Sequence, residues 1–192
     1  MKEVMINVKK ISNKKVEFER SEENLKIKAV FGFDEKIKVN TETGFDFLNR
    51  FVKLLYEEAG LRMDINIEKK GECDLIRSIA EVIGIGMKNI IEKNPHMKKI
   101  SGSMSSVGNA SSTITMKFSK NPYNPLQIKI LGQKLKKPED FFKDDLFVFF
   151  TGLSHGLEAE MEVTIVKSEN QEETWESVFK ATSGCFRDIL KS

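Results

Sequence analysis

The chain has few of the residues that small proteins use for covalent or metal cross-links. Its 192 residues include two histidines, two cysteines, four prolines and one tryptophan. The pair Cys73 and Cys185 cannot supply the disulfide framework of a small secreted domain, and two histidines cannot supply a His-rich metal centre. The sequence therefore predicts a cytoplasmic protein that is stabilised by its own hydrophobic core.

Long apolar runs and an excess of one charge are also missing. The longest apolar run, at 146–150, is far short of the roughly 18 residues that a membrane-spanning helix needs. The 31 basic and 29 acidic residues leave a formal net charge of +2, and lysines such as Lys134 and Lys136 stand among acidic residues rather than in one stripe. We therefore expect no membrane insertion and no nucleic-acid binding.

The first half of the sequence alternates with the period of strands and then with that of helices. Apolar residues such as Val16, Phe18 and Ile27 fall on one face of two strands, and charged residues fall on the other. From Phe47 onward the apolar residues follow a helical period, which predicts a helix that stops at Gly60. The predicted elements are strands at 16–19, 25–29, 37–39 and 63–67 and helices at 47–59 and 76–91.

The second half repeats the order strands, helix, strand, helix at a separation of about 95 residues. Its predicted elements are strands at 110–118, 126–131 and 160–165, a helix that opens with Glu139 and Asp140, and a final helix at 172–190. The small polar stretch 101–109 is expected to be a flexible loop.

This recurrence indicates a tandem duplication. Residues 1–95 are predicted to form the first repeat, with an extra strand at Met1 to Val8, and residues 96–192 the second. Each repeat has a sheet with one apolar face and two helices to cover it. The predicted fold class is therefore α+β, one compact fold in which two sheets enclose a helical layer.

Three stretches resemble the imidazoleglycerol-phosphate dehydratase family of histidine biosynthesis. Residues 43–51, Thr-Gly-Phe-Asp-Phe-Leu-Asn-Arg-Phe, resemble that family's Thr-Gly-x-x-Phe-Leu-Asp-His-Met. Residues 77–85, Arg-Ser-Ile-Ala-Glu followed by Gly-Ile, resemble its His-His-x-x-Glu-x-x-Gly-Ile, and residues 170–180 resemble Asn-x-His-His-x-x-Glu-x-x-Phe-Lys. The resemblance extends from about Val16 to the last helix. It implies a homo-oligomer, in the family a 24-subunit shell.

The resemblance also implies two manganese ions, held by histidines of both repeats and one glutamate from each. Only the two glutamates, Glu81 and Glu176, match at their positions here. The histidine positions carry other residues, namely Arg50, Glu58, Arg77, Ser78, Glu162, Glu172 and Glu173. The family's Met-Asp-Glu-Ala motif, which contributes another acid, falls at 107–110, where the acid is missing. No catalytic residue can be assigned from these positions.

Two hypotheses account for the replacements. In the first, Arg50 and Arg77 pair with the glutamates, so that no metal or other cofactor is needed. In the second, the carboxylates still collect a hard cation such as Mg²⁺ or Ca²⁺, or the Mn²⁺ of the resembled family. Glu172 and Glu173 also fit ordinary first-turn acids, which the helix dipole favours.

The phosphate-binding side of the resembled site is equally altered. The family's Arg-Pro pair reads Asn121-Pro122 here, and the remaining candidates for binding phosphate are the lysines Lys98, Lys99 and Lys180. The histidines His96 and His155 fall outside the motifs, and we expect them to be ordinary surface residues in loops.

The predicted function is therefore that of a pseudoenzyme, a divergent dehydratase-like protein that has lost manganese-dependent activity and has a structural or binding role. A small-molecule ligand remains compatible with it. The alternative is a hydro-lyase related to the family that uses a carboxylate-lined metal site.

Overall fold

Two four-stranded sheets form the outer layers of the molecule, and helices lie between them. The computed structural model describes residues 4–33, 37–40, 42–44, 46–69, 74–119, 125–132 and 145–191. The strands are β1 Met5–Ile11, β2 Lys15–Glu22, β3 Leu25–Gly32, β4 Arg62–Lys69, β5 Ile100–Val107, β6 Ala110–Phe118, β7 Leu126–Ile130 and β8 Ala159–Lys167. The helices in the described part of the chain are α1 Asp46–Ala59, α2 Leu75–Lys93, α3 Asp145–Leu157 and α4 Gln171–Leu190.

The two sheets have the same strand order once β1 is set aside. The first sheet runs β1-β2-β3-β4, all antiparallel, and the second runs β5-β6-β8-β7, with β7 parallel to β8. Asn40 forms a parallel bridge to Asp64 of β4, so it lies beside β4 as β7 lies beside β8. The predicted short strand at 37–39 is thus reduced to a single bridge. The predicted duplicated α+β fold is confirmed, while the division into 1–95 and 96–192 stays a prediction.

The turns that follow α1 and α3 are also alike. Gly60 follows α1 with φ of 71°, and Glu158 follows α3 with φ of 49°. A left-handed backbone is unstrained for glycine and costs a residue with a side chain on the order of 1 kcal/mol. The Glu158 carboxylate compensates in part, because Lys88 Nζ of α2 lies 2.5 Å from it.

The helical layer joins both sheets into one hydrophobic core. Strands β2 and β3 bury alternate apolar residues such as Val16, Phe18 and Ile27 beneath α2, and β5 and β6 pack against α4. In turn α2 packs against α3, and α1 against α4. Except for Ala110, the buried apolar residues of both sheets and of the four described helices belong to one cluster. Among the described residues, no helix is long and apolar enough to cross a membrane.

Glycines allow the backbones of α2 and α3 to touch. A Cβ atom at Gly84 of α2 would lie 2.6 Å from the Leu153 carbonyl oxygen and from the Leu157 amide nitrogen of α3. Gly152 and Gly156 of α3 meet the backbone of α2 in the same way. This close approach fixes the position of α3 along α2. It therefore also fixes where the side chains of α3 lie relative to the first sheet.

The prediction of a flexible loop at 101–109 is wrong, because β5 occupies most of it. Its residues alternate between inward and outward, but the inward ones include Ser101 and Ser103 rather than large apolar residues. Small side chains are needed there, since Ser103 lies directly beneath Gly184 of α4. The predicted strand at Met1 to Val8 is described from Met5 and continues to Ile11. The helix start at Glu139 and Asp140, like Cys73, lies outside the described residues.

The α2–α3 contact predicts that Gly84→Ala destabilises the protein. Alanine favours a helix by about 1 kcal/mol over glycine, but its methyl group has no space here. We expect a net loss of about 1–3 kcal/mol in the free energy of unfolding, measured with urea.

Gly102→Ala on β5 is the matched control for Gly84→Ala, because a Cβ atom there meets nothing closer than 3.7 Å. It should change the free energy of unfolding by no more than about 0.5 kcal/mol. Equal effects of the two substitutions would contradict the close approach of the helices.

Candidate functional site

An arginine of the first repeat pairs with two glutamates of the second where α1 meets α4. Arg50 Nη1 lies 2.5 Å from Glu172 Oε1, and Arg50 Nη2 lies 2.7 Å from Glu176 Oε2. The two glutamates stand one helical turn apart on α4, so that both carboxylates reach the same guanidinium. The hydrogen bond that Arg50 donates to Glu172 is the main cause that holds the pKa of Arg50 above its ordinary value.

This first cluster is open to water. The exposed fractions of the side chains are 55% for Arg50, 73% for Glu172 and 22% for Glu176. Lys180 adds a second positive charge, with its Nζ atom 3.2 Å from the other Glu176 oxygen. Exposed ion pairs contribute about 0–1 kcal/mol each to stability. The cluster therefore neutralises the local carboxylates more than it stabilises the fold.

Glu173 has a different partner from its neighbour Glu172. Its carboxylate accepts a hydrogen bond of 3.0 Å from the backbone amide of Asn109, in the turn between β5 and β6. At the start of α4 the Asn170 side chain accepts hydrogen bonds from the amides of Glu172 and Glu173, at 2.8 and 3.2 Å. The turn at 107–110, where the resembled family carries an acid, is thus itself held by an acid from the helix.

A second cluster surrounds Glu81 of α2, which is only 9% exposed. Arg20 of β2 is 4% exposed, and its Nε and Nη2 atoms both lie 2.9 Å from Glu81 Oε2. Arg20 Nη1 lies 2.9 Å from Glu22 in an ionic contact whose geometry does not meet that of a hydrogen bond. His155 Nδ1 of α3 lies 3.0 Å from Glu81 Oε1. Both oxygens of the Glu81 carboxylate are therefore occupied by protein groups.

The expectation that His155 lies in a loop is wrong, although its side chain is largely exposed, as expected of a surface residue. It stands in the last turn of α3, where the close packing of α3 on α2 brings its ring to Glu81. His96 lies in the turn after α2 and is exposed, as expected. Arg20 was not identified as a candidate, although the alternation of β2 places it on the same inner face as Val16 and Phe18.

The other replaced positions do not join either cluster. Arg77 is exposed at the start of α2 and makes no ion pair with another described residue, whereas Ser78 is buried. Glu58 is half-buried near the end of α1. Glu162 points away from the helices on β8, where Lys129 Nζ of β7 lies 2.9 Å from it. The structure thus brings Arg50 to Glu172 and Glu176 and leaves these four residues apart.

Two of the three lysines expected to bind phosphate are paired with carboxylates. Lys98 Nζ lies 2.7 Å from Asp188 Oδ1, while Ser101 donates a 3.0 Å hydrogen bond to Asp188 Oδ2. The hydrogen bond from Lys98, followed by that from Ser101, holds the pKa of Asp188 below its ordinary value. Lys180 pairs with Glu176, and Lys99 lines an open cleft at the end of α2.

The donor set of the two clusters does not fit the two-manganese centre that the resemblance implies. The family's histidine positions carry other residues in both repeats, the imidazole of His155 is hydrogen-bonded to Glu81, and the carboxylates of Glu81, Glu172 and Glu176 are hydrogen-bonded to guanidinium groups. Among the described residues, no three histidine, cysteine, aspartate or glutamate side chains are grouped so that they could hold a metal ion. A divalent ion would have to displace an arginine that already neutralises the carboxylates.

Comparisons with known proteins agree with the fold. The model of the imidazoleglycerol-phosphate dehydratase family matches residues 43–186. Among solved structures, the imidazoleglycerol-phosphate dehydratase from Staphylococcus aureus matches with a TM-score of 0.71 and 20% identity, over 96% of this chain and 98% of that one. The Pyrococcus furiosus enzyme matches with a TM-score of 0.66 and 20% identity, over 90% and 92% of the two chains. No curated protein sequence gives a significant match.

The burial of the two clusters predicts unequal effects of removing their arginines. Arg20→Met leaves Glu81 buried with its main partner gone, and we expect the free energy of unfolding to fall by about 3–5 kcal/mol. Arg50→Met removes an exposed group, for which we expect a loss of about 0–1 kcal/mol. Urea denaturation of both variants measures the difference.

The double variant Arg20→Met with Glu81→Met separates the lost pairing from the lost packing. It removes both charges, so it should recover most of the stability that Arg20→Met loses. An Arg20→Met variant that is as stable as Arg50→Met would show that Glu81 is not held by Arg20.

The lowered pKa of Asp188 predicts a pH-dependent contribution to stability. The contact with Lys98 and Ser101 stabilises the fold fully above the unfolded pKa of about 3.9 and is lost as the pH falls through the lower folded pKa. The difference in unfolding free energy between wild type and Asp188→Asn should be constant from pH 7 to about pH 5 and shrink below about pH 4.

Lys98→Met removes the same contact from the other side and is the companion variant for Asp188→Asn. It should flatten the acid part of the stability profile in the same way. A difference that stays constant down to pH 2 would exclude this contribution from Asp188.

Proposed function

Because the chain belongs to the imidazoleglycerol-phosphate dehydratase family, we propose that it keeps the family's fold but does not catalyse the manganese-dependent dehydration. We propose that it acts instead as a structural or binding protein. One observation carries this proposal: the two carboxylates that match the family's ligands are each bound by an arginine. Arg20 holds Glu81, and Arg50 holds Glu176.

The chemistry of these pairs supports a centre that needs no metal. A guanidinium presents several N–H donors in a rigid plane, and it cannot be deprotonated near neutral pH. Around Glu176 the charges of Arg50 and Lys180 balance those of Glu172 and Glu176. A divalent cation entering this cluster would be repelled by the guanidinium and would leave it without its partners.

The placement of the remaining acids also speaks against a carboxylate-lined metal site. A hard cation such as Mg²⁺ needs several oxygen ligands converging on one point. Glu162 lies on the outer face of the second sheet, Glu173 binds the turn at Asn109, and Glu81 lies in the buried second cluster. These acids are spread over different surfaces, so the alternative hydro-lyase lacks a gathered ligand set.

We further propose that the protein assembles with copies of itself in the cytoplasm. The family resemblance supports a homo-oligomer, and exposed apolar side chains on strand β1, such as Met5 and Ile6, offer a contact surface. A buried free thiol at Cys185 fits a reducing compartment. Of the structural and binding roles, self-assembly is the one that this surface supports directly.

The proposal predicts that the purified protein has no dehydratase activity. Incubation with imidazoleglycerol phosphate and Mn²⁺ should give no turnover above background, and expression should not rescue a histidine auxotroph that lacks the dehydratase. The Staphylococcus aureus enzyme, assayed in parallel, is the positive control. Elemental analysis of protein purified without chelator should find no stoichiometric manganese.

Turnover above background would overturn the proposal that the protein has lost dehydratase activity, whichever metal ion supports the turnover. Stoichiometric metal without turnover would overturn the metal-free centre and favour a carboxylate site. Repeating the assay with Mg²⁺ in place of Mn²⁺ tests that alternative directly.

A further inference from the structure

The edge strand β1 has an unusual surface for a protein in solution. It pairs with β2 on one side only, and all seven of its residues are exposed. Half of the large exposed apolar residues in the described part of the chain lie on β1 or next to it. They are Val4 at 41%, Met5 at 63%, Ile6 at 46%, Val8 at 42% and Ile11 at 38%.

Most of these side chains lie on the inner side of the sheet. Ile6 is the register neighbour of Arg20 and Val8 that of Phe18, and both of these β2 residues are buried beneath the helices. Neighbouring residues across antiparallel strands point to the same face. The inner surface of the sheet therefore continues onto β1, beyond the part that α2 covers.

The free edge of β1 carries backbone N–H and C=O groups that can pair with another strand. Natural proteins usually blunt such an edge with charges, bulges or very short strands. Here the lysines Lys9 and Lys10 and the register irregularity between Val8 and Lys10 lie at one end of β1. The other end, from Met5 to Val8, is regular and uncharged. By contrast, the edge strand β5 of the second sheet consists mainly of small polar residues.

We propose that β1 pairs antiparallel with β1 of a second copy of this chain, about a two-fold axis at Ile6. This inference rests on the proposed self-assembly and identifies β1 as the contact surface between the two copies. Ile6 then faces Ile6 of the second copy, Val4 faces Val8, and the two first sheets join into one eight-stranded antiparallel sheet.

The arrangement of charges favours this register and favours a second copy of the chain as the partner of β1. With the axis at Ile6, the Lys9 side chains of the two copies are six residues apart along the strand, about 20 Å. That distance exceeds the Debye length of about 8 Å at physiological salt, so their repulsion is screened. An axis at Val8 would instead place Lys10 opposite Ile6 and run the pairing through the irregular end of the strand. The apolar end of β1 is therefore complementary to itself.

The size of the surface sets the expected strength of the contact. A stable interface usually buries about 800 Å² on each partner, more than one seven-residue strand can supply. Both strands are already ordered within their sheets, so little conformational entropy is lost when they pair. We expect a dissociation constant in the micromolar range for the β1 contact alone.

Opposite charges at Ile6 test the proposal and its register together. In Ile6→Lys and in Ile6→Glu, like charges face each other across the axis, and the mass in solution at 100 µM should fall at least twofold from the wild-type value. An equimolar mixture of the two variants should restore that mass, because lysine then faces glutamate. Light scattering after size-exclusion chromatography measures the mass, and circular dichroism checks that each variant is folded.

Ile100→Lys is the matched control. Ile100 is 60% exposed on β5, the edge strand of the other sheet, so the same substitution there should leave the mass unchanged. Folded Ile6 variants that keep the wild-type mass, or a mixture that fails to restore it, would overturn the β1 pairing alone. A monomeric wild-type protein at 100 µM would overturn the proposed self-assembly as well, while neither result bears on the dehydratase assay.

Discussion

Glu81 places a carboxylate where the first sheet, α2 and α3 meet, and little water can reach it there. An ionised group in such a place must be paired, since its desolvation otherwise costs several kcal/mol. Arg20 comes to it from the inner face of β2 and His155 from the last turn of α3. The glycine contacts that let α3 touch α2 are what bring His155 within reach. Sheet, helix packing and electrostatics thus depend on one another at this point.

Because the fold is duplicated, the first cluster, around Glu176, can be compared with the second cluster, around Glu81. Glu176 occupies on α4 the position that Glu81 occupies on α2, and it too is bound by an arginine. Its partner Arg50 comes from a helix rather than a strand and is 55% exposed, against 4% for Arg20. The same type of arginine–glutamate pair is therefore expected to contribute differently to stability in the two repeats. In the first repeat the buried pair should contribute strongly to stability, and in the second the exposed pair mainly neutralises the charge of Glu176.

The sequence predicts the fold well where side chains are large and periodic. Alternation in β2, β3 and β4 and the helical period in α1, α2 and α4 gave elements close to those observed. It fails at β5, where tight packing against Gly184 requires serines and so removes the apolar pattern. The partners of the site were harder to predict, because Arg20 and His155 reach Glu81 only through tertiary packing. Arg77 was predicted to pair with a glutamate because of its position in the resembled motif. Its side chain is instead exposed at the start of α2, and the packing of the described elements does not bring it to an acidic residue.

The edge strand β1 and the second cluster, around Glu81, are connected through the register of the first sheet. Ile6 is the neighbour of Arg20 on β2, so the exposed strand β1 is all that lies between Arg20 and the free edge. A second copy paired at Ile6 would add another strand on that side and move water further from the Arg20 and Glu81 pair. Electrostatic attraction strengthens as the surrounding dielectric constant falls. Self-assembly at β1 would therefore strengthen the ion pair between Arg20 and Glu81, so that the proposed metal-free centre and the proposed assembly would support each other.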